Sequence, residues 1–179
     1  MRIIGGQWKG RKLNIPSKSW PVRPTTDFAR EALFNILDNR FDYENSVALD
    51  LFGGTGVHSI ELASRGCPDV TYVDRYKESV LFVKTISAEW DLPIVAVQSD
   101  VLDFIKISQR KWDYIFADPP YDMKDQENMI ISVFKNQLLS EKGFFVLEHT
   151  SKINFNQVKG FREARTYGQS VFSFFAQGS

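Results

Sequence analysis

Cysteine is almost missing from this 179-residue chain. Cys67 stands alone, which excludes an internal disulfide and any zinc site built on cysteines. Histidine is nearly as scarce. His58 and His149 lie far apart and give no local ligand spacing, so no metal is expected. No apolar run approaches the ~20 residues that a membrane helix needs, so no membrane partner is expected. The start, Met-Arg-Ile-Ile-Gly-Gly-Gln-Trp-Lys-Gly-Arg-Lys, lacks the apolar centre of a secretory signal. Disorder does not fit either, because aromatic residues make up 14% of the chain and can bury ample surface. The expectation is a cytoplasmic enzyme or binding protein with one core, plus a short appendage.

Net charge is also lacking, at +0, but the charges are unevenly spread. Residues 1–40 hold eight basic side chains (Arg2, Lys9, Arg11, Lys12, Lys18, Arg23, Arg30, Arg40) against Asp27, Glu31 and Asp38. The remainder is acidic by the same margin. A zero total therefore conceals a basic N-terminal arm suited to a polyanion. Residues 1–24 read as this arm, a short β-hairpin with turns at Gly5-Gly6 and Gly10 followed by a loop. Residues 25–179 read as the main domain.

Thr26 is a suitable N-cap for a helix from Asp27 to about Asn39, with Phe28, Ala32, Leu33, Ile36 and Leu37 as its buried stripe. Strands and helices then alternate. Strands are expected at 47–52, 70–73, 94–97, 114–117 and 143–147, and helices at 57–65, 77–90, 101–108 and 126–138. Repeated strand-then-helix order means right-handed crossovers and a parallel α/β sheet covered on both faces. Residues 162–167 and 171–175 flank Gly168-Gln169 and read as a closing antiparallel hairpin. Trp20 and Trp112 are expected to be packing residues, and Cys67 an inert buried thiol.

In such a sheet, ligands sit beyond the carboxyl ends of the strands. There the chain places Asp50 with Phe52-Gly53-Gly54-Thr55-Gly56, then Asp74-Arg75, Asp100-Val101, and Asp118-Pro119-Pro120-Tyr121. The glycines permit positive φ and close backbone approach. The dinucleotide fingerprint fails, because its third glycine falls on Ser59. Asp74 follows the second strand, where a carboxylate can accept both hydroxyls of a ribose. A glycine loop with this carboxylate points to a nucleoside without pyrophosphate, and S-adenosylmethionine fits. Asp100 and Val101 are candidates for holding its adenine.

The Asp118–Tyr121 segment has its own chemistry. An exocyclic amine on a base is a poor nucleophile, because its lone pair is delocalised into the ring. Two acceptors aimed at its N–H bonds favour the localised form. Asp118 supplies one, and the carbonyl of Pro119 can supply the other. The prolines fix where that carbonyl points. Tyr121 offers a stacking face worth ~1–3 kcal/mol. Such a base must be unpaired or flipped out of its helix.

Asp118–Tyr121 resembles the (Asp/Asn)-Pro-Pro-(Tyr/Phe) motif of amino-methyltransferases that use S-adenosylmethionine. Arg2 to Leu13, Arg23-Pro24-Thr25-Thr26-Asp27 and Arg30 to Leu37 narrow the match. With Ser64-Arg65-Gly66 and Tyr167-Gly168, they resemble the RsmD family of bacterial 16S ribosomal RNA guanine-N2 methyltransferases. The resemblance spans nearly the whole chain. It implies a Rossmann-like methyltransferase fold with a seven-stranded, mostly parallel sheet, helices on both faces and an N-terminal β-hairpin. It further implies S-adenosylmethionine as donor, S-adenosylhomocysteine as product, and a guanine of 16S rRNA within an assembled or assembling 30S subunit as acceptor. By position, Asp50, Gly54 and Gly56 carry over as the donor loop, Asp74 as the ribose acceptor and Asp118–Tyr121 as the catalytic segment.

The loop departs from the family's usual Phe-Ala-Gly-Ser-Gly. Val57-His58-Ser59-Ile60 departs from its usual Ala-Leu-Gly-Leu, and His58 is expected near solvent at a helix start. RNA grip is expected from Arg2, Lys9, Arg11, Lys12, Arg23 and Arg30, with Trp8 among them. A monomer is the simplest assembly. The same tetrapeptide serves DNA adenine-N6 methylation, though this chain has little length for DNA-recognition segments. A non-catalytic RNA-binding or assembly factor is a third reading, against which the intact Asp118 and Tyr121 stand.

Overall fold

The computed structural model describes residues 1–15 and 25–178. Arg23 and Trp20 lie outside the described residues. Helix α1 spans Asp27–Leu37, and its N-cap Thr26 accepts a hydrogen bond from the Ala29 amide. Strands and helices then alternate: β1 (Val47–Leu51), α2 (Val57–Ser64), β2 (Asp69–Asp74), α3 (Lys77–Trp90), β3 (Ile94–Gln98), α4 (Val101–Ile107), β4 (Trp112–Ala117), α5 (Gln126–Lys135) and β5 (Leu139–Thr150). Strands β6 (Phe161–Tyr167) and β7 (Ser170–Ala176) close the chain. The seven-stranded sheet has the order β3-β2-β1-β4-β5-β7-β6. Strands β1 to β5 run parallel, and β7 is antiparallel to both neighbours. This is the Rossmann-like methyltransferase order, with its crossover reversal between β1 and β4.

Alternation along each strand splits the core into two layers. On one face Leu49, Leu51, Ile115, Ala117 and Leu147 meet Met129, Ile130 and Val133 of α5. On the other, Ala48, Tyr114, Phe116, Val146 and Phe172 meet Ala29, Leu33, Phe34 and Leu37 of α1. Each fully buried aliphatic side chain is worth roughly 1.5–3 kcal/mol against exposure. Trp112 belongs to the first layer. Cys67 is buried, and burial pushes its thiol up to about 11, which keeps it unreactive.

Three local expectations are corrected. Helix α5 ends at Lys135 rather than 138, because Gln137 takes a left-handed φ of 53°. Strand β5 starts four residues early, at Leu139, where it pairs with Trp112 ahead of a register shift. Phe28 is not in the buried stripe of α1: it is 66% exposed, with its ring against Tyr167.

The N-terminal hairpin is reduced to one antiparallel bridge, Arg2 with Lys12, flanked by bonds from the Ile3 amide to the Arg11 carbonyl and from the Leu13 amide to the Met1 carbonyl. Ile3 and Leu13 are buried against Ile60, Trp90 and Leu92. Gly5-Gly6 does more than turn the chain. A Cβ on Gly6 would sit 1.9 Å from the Ser64 carbonyl oxygen, and φ there is +72°. The arm thus lies directly on the C-terminal end of α2, with the Gln7 amide on the Ser64 carbonyl and the Trp8 amide on the Ser64 hydroxyl.

Candidate active site

The turn after β1 is tightly wound. Phe52, Gly54 and Gly56 take φ of 58°, 51° and 74°. A Cβ on Gly53 would lie 2.2 Å from the Tyr72 ring, and one on Gly56 would lie 2.4 Å from Val83. Glycine is therefore demanded by space at both positions and by backbone angle at Gly56. Tyr72 donates its hydroxyl to the Gly54 carbonyl at 2.8 Å. Asp74, at the tip of β2, accepts the Gly54 amide on one oxygen (2.9 Å) and the Tyr76 amide on the other (2.8 Å). That leaves about half of its lone-pair positions for a ligand.

Asp50 is fully buried beneath this turn and accepts the Ser59 hydroxyl at 2.6 Å. Burial pushes its carboxyl up to about 7, an effect that the Ser59 contact only reduces. Between about pH 4 and pH 7 the folded protein therefore keeps a proton that the unfolded chain releases. Stability is fullest below that window and falls as pH rises through it, by about 4 kcal/mol at most. Asp50→Asn keeps the acceptor oxygen and removes the charge. It is expected to melt higher than the parent at pH 8, with the gap closing toward pH 4. Parallel melting profiles across that range would refute this.

A cavity of about 750 Å³ opens over the strand tips. It brings together Asp50, Phe52, Gly53, Gly54, Thr55, Asp74 and Arg75 with Asp118, Pro119, Pro120 and Tyr121. Pro119 is buried and Asp118 half-buried, while Pro120 accepts the Met123 amide on its carbonyl at 2.9 Å. Gly56 lies behind the lining and caps α2. Asp100 and Val101 stand outside the lining. Asp100 is exposed and caps α4 through the Leu102 and Asp103 amides, and Val101 is buried in the core. The capping reading, not the adenine reading, describes the observed contacts of Asp100.

His58 is corrected most. It is not near solvent but 6% exposed, its ring stacked on Phe116 at 3.8 Å and its Nε2 3.1 Å from the Tyr114 hydroxyl. Burial first, and then Arg30, hold its pKa well below the ordinary value, so the imidazole is neutral. It forms part of the cavity wall. Among the other lining groups outside the site expected from the sequence are Phe28 at the rim, Thr25, Glu148 near the end of β5, and Ser170 at the start of β7.

Of the basic residues, Arg2, Lys9, Arg11 and Lys12 are exposed on the arm. Arg11 is held over the rings of Trp8 (4.7 Å) and Trp90 (4.0 Å). Arg30 is corrected: it is 2% exposed and cannot reach a phosphate. Its guanidinium donates to the Arg2 carbonyl (2.7 Å) and pairs with Asp27 (3.0 Å) and Glu61 (3.7 Å). No cluster with the makings of a metal site, and no helix long and apolar enough to cross a membrane, occurs among the described residues.

The ribosomal RNA small subunit methyltransferase D of Escherichia coli K12 is 32% identical over 149 residues, covering 83% of this chain and 74% of its own length. A solved hypothetical protein from Thermus thermophilus superposes with a TM-score of 0.84 at 26% identity, covering 98% of each chain. The 16S rRNA N2 G1207 methyltransferase of the same organism, solved with AdoMet and guanosine, shares the fold at a TM-score of 0.72 and 18% identity, over 89% of this chain and 45% of that one. Residues 1–176 match the family described as conserved hypothetical protein 95. The chain belongs to that family, together with the small-subunit ribosomal RNA methyltransferase D proteins.

Proposed function

We propose that this chain transfers a methyl group from S-adenosylmethionine to the exocyclic N2 amine of a guanine in 16S ribosomal RNA, within an assembled or assembling 30S subunit. One observation carries the reading: a single cavity holds both the glycine turn with Asp74 and the Asp118–Tyr121 segment. The turn fits the donor. It offers a close backbone approach enforced by Gly53 and a carboxylate with acceptor capacity left for ribose hydroxyls. Bound there, S-adenosylmethionine would supply an electrophilic methyl on a sulfonium: the N–C bond would form as the S–C bond breaks, S-adenosylhomocysteine would leave as the thioether, and the surplus amine proton would pass to solvent.

This chain's residues prepare the nitrogen. Asp118 accepts one N–H of the amine and the Pro119 carbonyl the other, so that the lone pair localises on nitrogen. Tyr121, 39% exposed, stacks on the extruded base, and Phe28 widens the aromatic rim. Residues 1–24 act as an arm on the 25–179 catalytic unit, with Arg2, Lys9, Arg11 and Lys12 tracking the RNA backbone. The substrate is RNA in the cytoplasm, and the working form is a monomer.

Nucleosides from cells with and without the gene, compared by mass spectrometry, test this directly. Loss of N2-methylguanosine from small-subunit RNA is expected. Loss of N6-methyladenine from DNA instead, or no change at all, would overturn it.

A further inference from the structure

The strand tips carry their polar groups in a chemically meaningful order. Along the sheet edge β1 bears the glycine turn, β4 leads into Asp118, β5 bears Glu148 and β7 begins at Ser170. In the parallel pairing of β4 with β5, Ala117 lies beside Leu147. The register ends there; the next residues are Asp118, which opens the loop after β4, and Glu148 of β5, and both line the cavity.

Glu148 is 2% exposed although it lines that cavity. One oxygen accepts the Thr25 hydroxyl at 2.6 Å and the other the Ser170 hydroxyl at 2.7 Å. Both hydroxyls donate, so both oxygens are fixed as acceptors. An acceptor held this way at the floor of a base pocket selects a donor.

Given the function proposed above, we infer that Glu148 reads the acceptor purine: it takes the N1–H of guanine while Asp118 takes an N2–H. The Watson–Crick edge of guanine presents these donors side by side, in the order of the two strand tips. Adenine presents an N1 lone pair at that point. It would set acceptor against acceptor in a buried site, an arrangement that binding sites reject strongly. Glu148 thus makes the pocket a guanine pocket, whereas Asp118 alone would serve either exocyclic amine.

The test uses small-subunit RNA rebuilt with 2-aminopurine riboside at the modified position. This base keeps the N2 amine but carries an N1 lone pair in place of N1–H. For the parent protein, kcat/KM is expected to favour guanine over 2-aminopurine by about 100-fold or more. Glu148→Gln can turn its amide N–H toward the N1 lone pair. It is expected to bring the ratio below about 10 and to methylate 2-aminopurine faster than the parent does. S-adenosylhomocysteine affinity, measured by calorimetry, should be unchanged. An unaltered ratio in the variant would overturn the inference. So would a parent enzyme that takes both bases about equally, whether or not the variant folds. Failure of the parent to methylate the guanine RNA would instead overturn the proposed function itself.

Discussion

Asp118→Ala is expected to lower methyl transfer about 1,000-fold while S-adenosylmethionine affinity stays within about threefold. The split follows from where Asp118 sits. It opens the loop after β4 with its amide on the Leu51 carbonyl at 3.4 Å, whereas the glycine turn is held by Tyr72 and Asp74, so loss of the Asp118 side chain leaves those supports of the donor site in place. What disappears is the acceptor that draws one N–H of the amine out of conjugation, an interaction needed most in the transition state. Asp118→Asn still offers an oxygen to that N–H, without the charge. A charge-assisted bond is roughly twice as strong as a neutral one, so this variant should lose only about 10-fold. Initial rates of labelled methyl transfer and calorimetric donor binding, run on all three proteins, decide the matter. An alanine variant that keeps more than about a tenth of the rate, or that loses donor binding in step with the rate, would remove Asp118 from the assigned role.

Much of this site is legible in the sequence because its parts are local. A strand, a glycine turn and a helix occupy adjacent stretches of chain, and Asp50, Gly54 and Asp74 fall where that geometry needs them. The same is true of Asp118–Tyr121, whose rigidity comes from two consecutive prolines. The placement of acidic residues after successive strands extends to Glu148, which directly follows the fifth strand expected from the sequence. An apolar run that reads as core alone conceals it.

Other residues depend on contacts that spacing does not encode. Arg30 looks like a basic arm residue by sequence position. Yet α1 turns it inward onto Glu61, 31 residues away, so it neutralises a buried acid instead of a phosphate. Phe28 fits the apolar period of α1, but in the first turn its ring meets Tyr167 at the end of β6 and the cavity rim, not the core layer that buries Leu33 and Leu37. His58 is polar at a helix start, where solvent is the ordinary neighbour. Its burial comes from α1 and β4, through Phe34 and Phe116, and no local pattern of residues 57–60 announces either partner.

The arm's attachment yields the other large effect. Glu61 is fully buried on α2 and accepts the backbone amides of Ile4 and Gly5, while Arg30 and Arg65 approach it at 3.7 Å each. Burial alone would favour the protonated acid, and it outweighs these partners, since the carboxyl lies above its ordinary value. Glu61→Ala strands the Ile4 and Gly5 amides and takes the carboxylate from beside the buried Arg30, which keeps only Asp27 and the Arg2 carbonyl, while Arg65 keeps Asp38. Removing one member of such a buried set costs about 3–5 kcal/mol, or roughly 10 °C in a chain of this size. Glu61→Gln retains one acceptor and should lose about half as much. The damage should be directional. With its anchor gone, the arm lifts from Ser64, and trypsin gains access at Lys9, Arg11 and Lys12. RNA affinity should fall as well. Arg2, Lys9, Arg11 and Lys12 would no longer be presented together, and the slope of log affinity against log salt should flatten by about 3. Deleting residues 1–16 should reproduce that slope. An alanine variant that melts and resists trypsin like the parent would show that Glu61 does not hold the arm, and an unchanged salt slope on deletion would show that the arm does not hold RNA.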